Sequence, residues 1–107
     1  MLVAGGRSED DRILATAEVY EPIDGAWSTT GSMEHPRVSH VAVPLRNGSV
    51  LAIGGTSDSG EPLASAEIYD PSTGIWISAG AMAQARHFHT ATLLGDGRVL
   101  VLSLIHI

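Results

Sequence analysis

The chain repeats itself, and that constrains its fold more than any other feature. Shifted by about 49 residues, the sequence matches itself without a gap. Gly5-Gly6 recurs as Gly54-Gly55, Glu18-Val19-Tyr20 as Glu67-Ile68-Tyr69, and Trp27 as Trp76. Met33 recurs as Met82, Arg37 as Arg86, His40 as His89, and Gly48 as Gly97. Roughly twenty of some fifty aligned positions are identical. A period of this size marks stacked supersecondary units, each burying its faces against its neighbours rather than around one shared centre.

Within a unit the pattern reads as four short strands. The first spans Arg37 to Leu45, and Asn47-Gly48 follows directly before Ser49-Val50-Leu51-Ala52-Ile53. Asn-Gly between two apolar runs predicts a two-residue type I′ hairpin, with φ above zero at both central residues. Asp96-Gly97 stands in the same place in the next copy. Gly54-Gly55 closes the second strand, where a missing Cβ permits positive φ or a close backbone approach. A polar stretch from Thr56 to Pro62 leads into a third strand, Ala64 to Tyr69. Asp70-Pro71-Ser72-Thr73-Gly74 predicts a proline-initiated turn with the glycine left-handed. The fourth strand holds Ile75, Trp76 and Ile77. No segment sustains a 3.6-residue period, so essentially no helix is expected.

Composition agrees with an all-β reading. Glycine is high at 12 residues and aromatics make up 5%, which suits short strands joined by tight turns. The formal charge is −6 and all six basic residues are arginine. An acidic chain with dispersed arginines has no electrostatic footprint for nucleic acid or an anionic membrane, so neither is expected as a partner. There is no cysteine, which excludes disulfides and thiolate metal sites within the segment. The most apolar run, Val99 to Ile107, is too short to span a bilayer as a helix, and Met1 is not followed by a signal-peptide pattern.

The order Arg, His, Asn-Gly, Val-Leu-Ala-Ile-Gly-Gly, Ala-Glu-Ile-Tyr-Asp-Pro, Gly-Ile-Trp closely resembles the kelch repeat, and the resemblance covers almost the whole chain. It implies an all-β, kelch-type β-propeller fragment built of four-stranded antiparallel blades, the first strand of each lining a central channel. Residues 32–80 would then be one complete blade, 1–31 the last three strands of the blade before, and 81–102 the first two of the blade after. Residues 103–107 depart from the Gly-Gly that the repeat calls for and read as a non-native tail. Met1 stands where Val50 and Val99 stand, so an internal valine codon read as a start is expected. Propellers close with 4–8 blades and repeats need neighbours, so the remaining blades of a longer chain are expected partners, and the isolated segment is expected to fold marginally or self-associate.

Candidate functional residues fall into three groups. Arg37 and Arg86 open the innermost strands, where a guanidinium fork could take a ligand carboxylate or pair with a repeated carboxylate such as Glu18 or Glu67. Trp27, Trp76, Tyr20 and Tyr69 could stack sugars, but their fixed phase favours packing between blades. His40 and His89 are phased in the same way and read as hydrogen-bonded structural groups. His87 and His89 share a strand face at a spacing that suits two imidazole ligands, but a third ligand is not evident and no metal site is expected. The loops after the Gly-Gly pairs differ most between copies, and variable loops on a rigid scaffold are where binding sits. That singles out Asp10, Asp11, Arg12, Asp58 and Glu61 as contact residues, against the alternative of plain solvated loop tips.

No catalytic group is compelling and no cofactor is expected. The leading expectation is a binding scaffold for a protein or carbohydrate partner. The alternative implied by the resemblance is the propeller domain of a galactose-oxidase-like copper-radical oxidase whose catalytic residues lie outside this segment. The lysine-free, Ala- and Gly-rich composition suggests a GC-rich bacterial gene, and the resemblance suggests an extracellular or cell-surface setting.

Overall fold

A computed structural model describes residues 1–86 and 89–103. Its strands are β1 (Leu2–Ala4), β2 (Ala17–Glu21), β3 (Ala26–Thr30), β4 (Val41–Pro44), β5 (Val50–Ile53), β6 (Leu63–Asp70), β7 (Ile75–Arg86), β8 (His89–Leu93) and β9 (Val99–Ser103). They form three antiparallel meanders in chain order: β1-β2-β3, β4-β5-β6-β7 and β8-β9. No helix occurs among the described residues. The repeat is visible in the register, since Leu2 opposes Val19 and Val3 opposes Glu18 as Leu51 opposes Ile68 and Ala52 opposes Glu67.

The hairpin turns differ from the expected type. Gly48 and Gly97 have φ of 87° and 92°, but Asn47 and Asp96 are not left-handed. The Gly48 amide bonds to the Leu45 carbonyl at 3.1 Å, and Leu45 N–H bonds to Ser49 O at 2.8 Å. This is a type I turn followed by a left-handed glycine, the three-residue loop with a G1 bulge, rather than a two-residue type I′ turn. Asn47 and Asp96 serve the turn through their side chains instead. Their Oδ1 atoms accept from Ser49 N and Arg98 N at 3.0 and 3.1 Å.

The other expected turn is present. Gly74 has φ of 71°, and its amide bonds back to the Asp70 carbonyl at 2.8 Å. The Ser72 hydroxyl and amide both donate to Asp70 Oδ1, which holds the Asp70 carboxyl below the usual carboxylate range.

Strand lengths depart from the expectation on both sides. β4 begins at Val41 rather than Arg37, while β7 runs twelve residues to Arg86 rather than ending near Ile77. Beyond Ser78 the β7 backbone stays paired to the start of β6 through register shifts, with Leu63 opposite Arg86. The equivalent stretch one unit earlier makes bonds of the same kind, Met33 N–H to Ala15 O at 2.8 Å and Arg37 N–H to Leu14 O at 3.0 Å.

The apolar core lies between the second and third sheets. Val43, Ile53 and Ala66 are buried, with Val41, Leu51, Met82, Ala91, Leu93, Val99 and Val101 packed against them. Small side chains there leave an open apolar cleft of about 180 Å³ beside Ala66, Ala79 and Ala81.

Candidate functional site

Three arrangements bring chemistry-bearing side chains together: a buried ion pair, a seam between sheets, and a pair of matched loops.

Arg37, four residues before β4, has no exposed surface, and Glu67 of β6 beside it is 2% exposed. Arg37 Nη2 donates to Glu67 Oε2 at 2.8 Å and Nε to the same oxygen at 3.3 Å. Nη1 donates to the carbonyls of Gly54 and Ser65 at 3.0 and 2.8 Å, and Nη2 also to Ser65 Oγ at 3.0 Å. Glu67 in turn accepts from the amides of Glu34 and His35 at 2.6 and 3.3 Å. A buried charge is tolerable when its donors and acceptors are this fully paired. The guanidinium therefore clips the segment entering β4 to the ends of β5 and β6, and it presents no surface to a ligand. Arg86 ends β7; its side chain lies outside the described residues, as does His87 of the candidate imidazole pair.

The seam joins the first sheet to the second through the repeated aromatic positions. Trp76 packs on Tyr69 across strands with centroids 5.1 Å apart, and its Nε1 donates to the Gly31 carbonyl at 2.9 Å. Tyr69 and Thr30 share a hydroxyl hydrogen bond of 2.7 Å, and Gly31 N–H meets Gly74 O at 3.2 Å. Gly31 is obligatory by closeness alone, because a Cβ there would strike the Gly74 carbonyl oxygen. On the inner side, His40 hydrogen-bonds the Ala4 backbone, and His89 Nε2 repeats the contact one unit on with Ile53 O at 2.9 Å. Burial pushes the His40 pKa below 6.5, the positive charge of Arg37 adds to that, and the bond to Ala4 works against it. The next residue back, Ser39, is held at φ of 58°.

The loops are the accessible part. Ser8 N–H bonds Arg12 O at 2.9 Å, Asp11 N–H bonds Ser8 O at 3.0 Å, and Leu14 N–H bonds Gly6 O at 2.8 Å. One unit later Ser57 bonds Glu61, Gly60 bonds Ser57 and Leu63 bonds Gly55 at 2.9, 3.0 and 2.8 Å. Asp11 and Gly60 occupy the same left-handed position, with φ of 70° and 85°. Two loops of unlike sequence thus share one backbone frame. Asp10, Asp11, Arg12, Asp58 and Glu61 are all exposed on it. In the first loop Arg7 pairs with Asp11 at 2.8 Å, Arg12 lies 3.6 Å from Asp10, and the Ser8 hydroxyl bonds Asp10. Among the described residues no group of three or more His, Asp or Glu is arranged to hold a metal ion.

Antiparallel sheets repeating in one register, sewn side by side through phased Tyr, Trp and His contacts, define the class: an all-β repeat scaffold. Residues 37–83 match the family model described as the Kelch motif. The same positions recur on either side of that match at the spacing of one repeat. No curated protein matches the chain.

Proposed function

We propose that the chain works as a kelch-repeat interaction scaffold that presents the 7–14 and 56–62 loops to a protein partner. The observation that carries this is the shared loop frame: identical backbone bonding holds unlike exposed side chains at equivalent points of adjacent sheets. Such a frame lets recognition chemistry vary without disturbing the fold. Across both loops Glu9, Asp10, Asp11, Asp58 and Glu61 outnumber Arg7 and Arg12, which favours a partner surface rich in Lys or Arg. A glycan partner would instead need an exposed aromatic platform beside the loops. The oxidase alternative draws no cysteine or catalytic residue from this chain, and copper-dependent peroxide formation by a longer protein would be its own test.

The test compares the chain with a variant carrying Ala at Asp10, Asp11, Arg12, Asp58 and Glu61. Both are screened against an immobilised lysine- and arginine-rich peptide library and a glycan array. Peptide binding that the variant loses, with a salt-dependent affinity, supports the reading. Equal binding by both proteins, or binding confined to glycans, refutes it.

A further inference from the structure

Asn47 is the chain's single asparagine, and a glycine follows it. That dipeptide carries a reaction of its own. The backbone nitrogen after an asparagine can attack the side-chain amide, and glycine, with no Cβ, leaves the approach unobstructed. The fold bears on every atom involved. Asn47 and Gly48 are both exposed in the turn that joins β4 to β5, so water reaches them and ammonia can leave. Gly48 is held at φ of 87°, and a Cβ there would meet nothing within 4 Å. Ser49 N–H donates to Asn47 Oδ1 at 3.0 Å. That bond closes a ring around the Asn47–Gly48 peptide and puts a donor on the oxygen where negative charge develops during attack. The opposing contact is the bond from Gly48 N–H to the Leu45 carbonyl at 3.1 Å, which has to open first.

The second unit displays the product of that reaction. Asp96-Gly97 stands where Asn47-Gly48 stands. Asp96 Oδ1 accepts from Arg98 N–H at 3.1 Å, Gly97 N–H bonds the Leu94 carbonyl at 3.0 Å, and Gly97 has φ of 92°. An aspartate therefore fits this turn without altering a backbone bond.

We propose that Asn47 is a self-modification site, at which the folded hairpin converts asparagine to aspartate and isoaspartate. The Gly48 nitrogen loses its proton to solvent and bonds to Asn47 Cγ. The Cγ–Nδ2 bond breaks, and Nδ2 takes up a proton and leaves as ammonia, which closes a succinimide. Water then opens the succinimide. Attack at Cγ breaks the new C–N bond and gives aspartate. Attack at the Asn47 backbone carbonyl breaks the original peptide bond and gives isoaspartate, whose main chain runs through the side chain and is longer by a methylene. Nothing is oxidised or reduced; the net change is NH2 for OH. The aspartate form keeps the turn as Asp96 does. The isoaspartate form loses it, because Leu45 N–H reaches Ser49 O at 2.8 Å only across a loop of fixed length. Both products add negative charge to a chain already at −6. The turn precedes β5 and the 56–62 loop follows it, so the inference does not rest on the function of the loops.

The experiment incubates the folded 107-residue chain in neutral buffer beside a synthetic peptide of residues 43–51, and follows both by intact mass and anion exchange. We expect the NH2-for-OH mass change in the folded chain on the timescale of the peptide, confined to position 47 and absent from Asn47→Ser. Protein isoaspartyl methyltransferase should label part of the product, and Asn47→Asp should keep the urea midpoint of the parent. Trimethylamine N-oxide, which favours the folded state, and urea below the unfolding transition should both leave the rate unchanged. A folded chain that keeps Asn47 after the peptide is spent overturns the inference. So does a rate that rises and falls with the unfolded fraction, or a mass change that persists in Asn47→Ser.

Discussion

Glu18 and Glu67 occupy the same place in successive units and should differ sharply when removed. Glu67 is 2% exposed and takes four hydrogen bonds from Arg37, Glu34 and His35, whereas Glu18 is exposed on β2. Glu67→Ala leaves the Arg37 guanidinium buried with only two carbonyls and a hydroxyl for company, and it strands the Glu34 and His35 amides. Breaking a buried pair from one side costs about 3–5 kcal/mol. That is a large share of the roughly 5–15 kcal/mol that holds a domain together. Arg37→Met should cost a similar amount, since it leaves the carboxylate unpaired. In Arg37→Met/Glu67→Ala both charges are gone, so no buried charge is left unpaired; what remains is the neutral loss at the Glu34 and His35 amides, the Gly54 carbonyl and the Ser65 hydroxyl, about 1–3 kcal/mol for each group left unsatisfied. The double variant should therefore be more stable than the sum of the singles predicts, with a coupling of about 2 kcal/mol or more. Glu18→Ala should lie within about 0.5 kcal/mol of the parent. Urea denaturation followed by tryptophan fluorescence measures all four. Equal midpoints for Glu67→Ala and Glu18→Ala would refute the reasoning, because burial and pairing would then not decide the cost.

The seam makes a matching pair of predictions: Trp76→Phe loses the bond to Gly31 and about 1 kcal/mol, while Trp27→Phe in the same assay changes stability by less than half of that. Ser39 sits at φ of 58°, so Ser39→Gly should hold or raise the melting temperature and Ser39→Val should lower it by the equivalent of about 1–2 kcal/mol. His40 binds its proton more weakly folded than unfolded, with Arg37 and His89 as the neighbouring charged or titratable groups. Its contribution is therefore intact above pH 6.5 and is lost as pH falls from there through the lowered folded value. Chemical denaturation between neutral pH and pH 5 should show this decline, and His40→Gln should flatten it.

The repeat made the sheets legible because a register is a periodic quantity, and any phase-matched pair in one unit predicts its counterpart in the next. The ion pair was legible to the same degree: Arg37 and Glu67 recur together, which left a carboxylate partner as one of two readings, and only burial distinguishes it from a ligand contact. The hairpin type was not legible. Asn-Gly and Asp-Gly suit a type I′ turn, but with Leu45 and Ser49 as the closing residues the same dipeptide completes a type I turn and bulge. The loops hid more. Between 7–14 and 56–63 only Ser8/Ser57 and Leu14/Leu63 are identical, so most of the common frame lies in the backbone. The signals that could have found it were the equal spacing between Gly-Gly and the next strand, and the exchange of Asp11 for Gly60, two residues that tolerate left-handed φ. Nothing in the sequence marks Ser39 as left-handed; it turns the chain between Val38, whose N–H and C=O both bond Thr56, and the start of β4 at Val41.

The central claim is that successive units fold as antiparallel sheets of one register, sewn together through the phased aromatic positions. Nuclear Overhauser spectroscopy on the uniformly labelled chain tests it most directly. The account predicts contacts between the α-protons or amides of Ala52 and Glu67 and of Val3 and Glu18, and a contact from the Trp76 indole N–H to Gly31. Strand contacts shifted from this register, or a Trp76 indole proton that sees only its own sheet, would contradict it.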